Sequence, residues 1–203
     1  MNNRVCVYCS SSNTLDDKYY DDAKNLGELL ALSNFNIVYG GSSLGLMYEI
    51  AKAAKYNGAK VYGVMPKKLH KFGVSSDECD EFILTNDMRD RKAKLDELSN
   101  SVIALAGGFG TLEEVSEMIV QKQLGYNNKP IVFLNTNGFY DNLLKFFKDI
   151  IDGSFANKSA KELYFVANTP EEVVKYLQNY EYKEVVRSKE EIYTTIPLKS
   201  NKN

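Results

Sequence analysis

Apolar residues along the chain follow two alternating rhythms. Residues 4–10 (RVCVYCS), Asn36–Tyr39 (NIVY), 60–65 (KVYGVM) and 101–106 (SVIALA) are short runs with apolar side chains on both faces, which predicts buried strands. Residues 81–85, 130–134 (PIVFL) and 164–167 (YFVA) read the same way. Between them the spacing lengthens: residues 16–32 place Ala23, Leu26, Leu29 and Leu30 at helical intervals, and residues 44–56 form a helix that stops at Asn57 and Gly58. Residues 87–98 (DMRDRKAKLDEL) predict a strongly charged helix, and 111–124, 139–151 and 169–177 three more. The last opens with Thr169 as N-cap and Pro170 at the first helical position. Residues 67–80 have no period and read as a long loop, of the kind that is often functional.

Strands separated by single helices imply an α/β fold: a Rossmann-like doubly wound parallel sheet in one domain, with helices on both faces. Such sheets bind ligands beyond the carboxyl ends of their strands, where both glycine-rich turns of this chain fall. The domain is expected over residues 1–180, followed by a polar tail at 181–203 without sustained period.

Composition narrows the chemistry. The chain has 203 residues, 44% hydrophobic and 26% charged, enough for a real core. With 25 Lys plus Arg against 27 Asp plus Glu, it lacks the basic field of a nucleic-acid binder, so any phosphate must be held locally. No apolar run reaches the roughly 18 residues of a membrane span, and the first ten residues lack a leader pattern, so a cytoplasmic protein without membrane contact is expected. Three cysteines and one histidine, His70, argue against a disulfide framework, catalytic zinc or a histidine relay that bypasses His70. Cys6 and Cys9 are spaced C-x-x-C but lie inside an apolar run, which makes them core residues rather than a redox pair.

The turn at 40–45 (GGSSLG) is followed by Leu46 and Met47, so it is not a Walker A loop, nor is it G-x-G-x-x-G. It reads as a strand-to-helix turn that needs glycine for its backbone angles. The turn at 106–114 (AGGFGTLEE) says more. Gly107, Gly108 and Gly110 let backbone N–H groups approach an anion, and the following helix aims its positive end at the same point, which suits a phosphate. Glu113 stands where a dinucleotide fingerprint has glycine or alanine, which disfavours NAD. Thr111 and Glu114 fit a capping box, and Glu114 equally fits a catalytic carboxylate within the acidic patch Glu113, Glu114 and Glu117. The run Met88-Arg89-Asp90-Arg91-Lys92 is either a solvated helix face or a cationic cluster serving the strand and turn that follow.

M-x-x-R-K, then a strand, then G-G-x-G-T-x-x-E resembles the Lonely Guy family of cytokinin riboside 5′-monophosphate phosphoribohydrolases. Gly107, Gly108, Gly110, Thr111 and Glu114 match, while Ala106 replaces the family's proline. The resemblance extends to Tyr39-Gly40-Gly41, Gly45-Leu46-Met47, Gln123-Leu124-Gly125 and Lys129-Pro130, covering residues 4–180. It implies hydrolysis of the N-glycosidic bond of adenosine-type 5′-monophosphates, N6-prenylated or not, to free base and ribose 5-phosphate. No metal or cofactor is implied. Arg91 and Glu114 would be catalytic. Met88, Lys92, Gly41 and Glu113 would bind substrate, with the phosphate against Gly107, Gly108, Phe109, Gly110 and Thr111. The family's older label, lysine decarboxylase, finds no lysine identifiable as a pyridoxal phosphate partner. Arg89 stands where many members have histidine and Gln121 where many have tryptophan, a change expected to reshape the pocket for an isoprenoid tail. A homodimer is implied, with Met118, Ile119 and Tyr126 as candidate apolar surface. The competing reading is a non-catalytic nucleotide or molybdenum cofactor carrier, which needs phosphate donors but no water-activating carboxylate.

Overall fold

Strand and helix alternate from Arg4 to Gln178 in the computed structural model, which describes residues 3–182. The elements are β1 (Arg4–Tyr8), α1 (Asp17–Leu32), β2 (Asn36–Tyr39), α2 (Gly45–Tyr56), β3 (Val61–Pro66), α3 (Lys67–His70) and β4 (Glu81–Thr85). They continue as α4 (Met88–Leu98), β5 (Ser101–Ala104), α5 (Phe109–Gln123), β6 (Ile131–Leu134), α6 (Asp141–Asp152), β7 (Phe165–Ala167) and α7 (Pro170–Gln178). All seven strands are parallel, in the order β4-β3-β2-β1-β5-β6-β7. β1 lies between the two halves, with Val5 beside Ile37 of β2 on one side and Ser101 of β5 on the other. The chain therefore winds outward from β1 to β4, and α4 carries it back across the sheet to start β5. The loops leaving β1 and β5 part company at this reversal and open a crevice.

Alternation within each strand feeds two cores. Val5, Val7, Ile37, Tyr39 and Val132 pack with Leu26 and Leu30 of α1, Ile50 of α2 and Val173 of α7. Cys6, Tyr8, Val38, Val64, Val102 and Phe133 pack with Leu95 of α4 and Val115 and Met118 of α5, with Phe147 of α6 alongside. Burial on both faces is what parallel pairing with helical crossovers requires. Burial also pushes the Cys6 thiol up to about 12 and raises that of Cys9, so neither is a thiolate at neutral pH, as core positions require. Thr169 caps α7 as expected, accepting from the Glu172 N–H at 3.3 Å.

The departures from expectation lie around the crevice. β1 ends at Tyr8 and β5 at Ala104, each two residues early. Polar contacts beyond the strand ends explain this: the Ser10 N–H donates to the Ala106 carbonyl at 3.1 Å, and the Ser12 N–H to Ser10 Oγ at 3.1 Å. The segment 67–80 is not structureless. It begins with the one-turn α3 and lies on the first glycine turn, with Ser43 N–H donating to Val74 O at 2.8 Å and Ser76 N–H to Gly41 O at 2.9 Å. Tertiary hydrogen bonds, not period, order it. Of the polar tail, residues 183–203 lie outside the described residues. Tyr182 just before them donates to the Asn100 carbonyl at 2.9 Å. Among the described residues no helix is long and apolar enough to cross a membrane.

Candidate active site

α4 owes its placement to very few apolar residues. Asp87 caps it, accepting from the Arg89 and Asp90 N–H groups at 2.8 and 2.9 Å. Leu95 then anchors it in the core, a burial worth about 2–3 kcal/mol. Arg91 lies four residues before Leu95 and so shares its inward face. Its Nε donates to the Val64 carbonyl of β3 at 3.1 Å, and its Nη1 donates to Glu114 Oε1.

Glu114 comes from α5, which starts at Phe109 with Gly108 as N-cap and no capping side chain. Because the helix begins two residues earlier than its sequence pattern suggests, Thr111 is inside the first turn and the capping box does not form. Glu114 turns toward Arg91 instead. The first amides of α5 lack intrahelical acceptors, as at every helix start, and a Cβ on Gly108 or Gly110 would meet nothing within 4 Å. Gly107 is pressed against the Thr111 side chain, which leaves no room for a Cβ.

These pieces enclose a cleft of about 410 Å³ at the crevice between β1 and β5. Ser10, Ser11 and Ser12 form a wall from the loop after β1, and Gly108, Gly110 and Thr111 line the cleft from the start of α5. Arg91, Glu113 and Glu114 line it between them, and Met47, Leu69 and Met88 supply an apolar side. Met88, Arg91, Gly108, Gly110, Thr111, Glu113 and Glu114 thus come together as the sequence suggests. Other expected residues fall elsewhere. Phe109, the residue at the start of α5, is 92% exposed. Gly41 has φ +71° and packs on Phe82, while Gly107 backs Thr111.

Lys92 does not line the cleft. As the next residue on α4 it points sideways to α5, where Glu113 and Glu117 hold its ammonium. It faces an adjoining groove with Arg89 and Gln121. Gln121 belongs to that groove as well, donating to Glu117 at 3.3 Å, and is not among the residues that line the cleft. The serine wall, Met47 and Leu69 went unread in the sequence. A run of three serines directly after the first strand of a doubly wound sheet was the available signal.

Arg91 and Glu114 are each 6% exposed. Burial pushes the Glu114 carboxyl above its usual 4.5, and the Arg91 charge and hydrogen bond pull it back only in part. A charged pair this dry is costly to form but far more costly to break on one side. The Lys92 pairs, with half-exposed Glu113, contribute little to stability.

A folded-state carboxyl raised above its unfolded value contributes stability at low pH that is lost as pH rises through the folded value. Arg91→Met removes the compensating charge and raises Glu114 further. We expect this variant to lose about 3–5 kcal/mol at pH 7 by urea denaturation, and markedly less at acid pH, where Glu114 takes up a proton. Equal losses at both pH values would mean that Glu114 is not the group left unpaired.

The sequence pattern of a family described as "possible lysine decarboxylase" matches residues 47–177. A probable cytokinin riboside 5′-monophosphate phosphoribohydrolase of Oryza sativa subsp. japonica is 40% identical over 177 residues, spanning 87% of this chain and 72% of the relative. A cytokinin riboside 5′-monophosphate phosphoribohydrolase of Arabidopsis thaliana is also 40% identical, over 87% of this chain and 82% of its own. Among solved structures, the molybdenum cofactor carrier protein of Chlamydomonas reinhardtii superposes with a TM-score of 0.69 at 26% identity, covering 88% of this chain and 97% of its own.

Proposed function

The chain belongs to the family of the cytokinin riboside 5′-monophosphate phosphoribohydrolases, and from that premise we propose that it hydrolyses the N-glycosidic bond of adenosine-type 5′-monophosphates. The C1′–N9 bond breaks, water supplies hydroxide to C1′ and a proton to the base, and the products are free base and ribose 5-phosphate. The observation that carries this reading is the buried Arg91–Glu114 pair in a cleft that also holds the open start of α5.

Bond cleavage builds positive charge on the ribose. The Glu114 carboxylate offsets that charge and accepts the proton of the attacking water, and Arg91 assists departure of the base. The phosphate takes the amides and the Thr111 hydroxyl at the start of α5, in the cleft that the serine wall also lines. Glu113 holds the ribose hydroxyls and Lys92 steadies Glu113 from behind. Met88, Met47 and Leu69 offer the base an apolar face. Decarboxylation through a pyridoxal phosphate Schiff base calls for a lysine in the cleft, and none of the residues lining it is lysine. A carrier of the kind the fold also resembles would need the phosphate donors but not the carboxylate. We place the protein in the cytoplasm, as a homodimer. Met118 turns into the core, but Tyr126 is 80% exposed and Val120 50%, and they supply apolar surface at the end of α5.

Incubation with AMP and with its N6-isopentenyl derivative is expected to release free base, read by chromatography. Glu114→Gln should lower kcat by roughly two decades or more. Binding without turnover by the wild type would favour the carrier. The working form of Glu114 is the ionised one, so activity should fall on acidification with a midpoint above 4.5, the ordinary glutamate value. A midpoint at or below that value would assign the limb to another group. Light scattering should give twice the monomer mass, and a fully active monomer would remove the second subunit from the reading.

A further inference from the structure

The first glycine turn contains two different kinds of glycine. Gly41 and Gly45 have φ of +71° and +58°, which a side chain tolerates poorly, and at Gly45 a Cβ would also strike the Ser10–Ser12 backbone. Gly40 is not among the residues with positive φ. Its backbone is open to any residue, so conformation does not explain it. Space does: a Cβ on Gly40 would lie 2.5 Å from Arg91 Nη2 and 3.0 Å from Met47 Sδ.

Arg91 has little freedom to yield. Its Nε is held by the Val64 carbonyl, Nη1 by Glu114, and Met47 stands beside the same point. We propose that Gly40 is a positioning residue for the reaction, its missing side chain being the slot in which the Arg91 guanidinium lies against Glu114. Alanine there moves Nη2 by about 0.9 Å to reach ordinary contact at 3.4 Å, and Nη1 moves with it because the guanidinium is rigid and planar. A displacement of this size at a reacting group costs up to about a hundredfold in rate. The proposal rests on the catalytic reading of Arg91 and Glu114 for its effect on rate, though not for its geometry.

Gly40→Ala tests it with two readouts. The first is the titration of the Glu114 carboxyl by ¹³C NMR, which needs no turnover. Glu114 faces Arg91 and Lys92 from α4, Glu113 on its own helix, and Cys6, Tyr8 and Cys9 from β1 and the residue after it; burial keeps those thiols and the phenol neutral. With Arg91 displaced, Glu114 should titrate at higher pH than in the wild type. The second is kinetic: kcat should fall ten- to a hundredfold with KM changed much less, and the acid limb should move up with the NMR value.

Gly27→Ala serves as the control for simple destabilisation. Its Cβ would press on the Ile50 carbonyl where α1 meets α2, and none of the residues it would meet lines the cleft. It should lower Tm and leave both the titration and the acid limb in place. A folded Gly40→Ala with an unchanged Glu114 titration overturns the proposal, whatever the activity. If the NMR shift appears while Glu114→Gln remains active, the positioning stands and the catalytic reading falls. Should Gly40→Ala not fold, the double variant Gly40→Ala/Arg91→Lys decides. Lysine has no Nη2, so folding of the double variant supports the slot, and failure of the double variant to fold where Arg91→Lys alone folds overturns it.

Discussion

A buried pair of opposite charges, Arg91 with Glu114, is the constraint around which the cleft is organised. Taking either charge out of water alone costs several kcal/mol, and the pair is tolerable only if the two groups meet in good geometry. That demand reaches far along the chain. α4 must cross from the β4 edge of the sheet back to β5 beside the central β1, at a height fixed by Leu95, β3 must offer the Val64 carbonyl, and α5 must begin at Phe109 so that Glu114 emerges one turn in. The topological reversal between β1 and β5 supplies the space above the pair.

The same geometry explains how a chain with a near-neutral balance concentrates charge. Arg91 and Lys92 are sequence neighbours but point about 100° apart on α4. Arg91 goes into the cleft and Lys92 goes to the flank, where Glu113 and Glu117 neutralise it. Of the acidic patch on α5, only Glu113 and Glu114 line the cleft; Glu117 lines the neighbouring groove. What reads in one dimension as two opposed clusters is in space an interleaved ladder, with a single dry rung.

Most of the fold was legible because most strands are apolar on both faces and α1, α2, α5 and α7 carry apolar residues at helical spacing; β2 and β4 agree with expectation to the residue. Errors gathered where tertiary contacts outbid local pattern. Thr111 and Glu114 satisfy the capping-box spacing, yet a buried arginine is a stronger partner for a carboxylate than an amide at a wet helix end. Residues 67–80 carry no period because the first glycine turn, not a core, holds them. The glycines at 40 and 41 look identical in sequence, and only three dimensions separate a conformational glycine from one that makes room for a neighbour. The site itself was legible as a set of motifs. The side-chain directions within it are not, because neighbours on one helix diverge: Lys92 and Gln121 line the adjoining groove rather than the cleft.

We propose that Arg91 and Glu114 act as one unit in cleaving the glycosidic bond. A double-mutant cycle on single-turnover rates with Arg91→Lys, Glu114→Gln and the combined variant tests this directly. If the pair is a unit, the combined variant loses about as much as the worse single one. Losses that multiply would show two independent contributions and contradict the account.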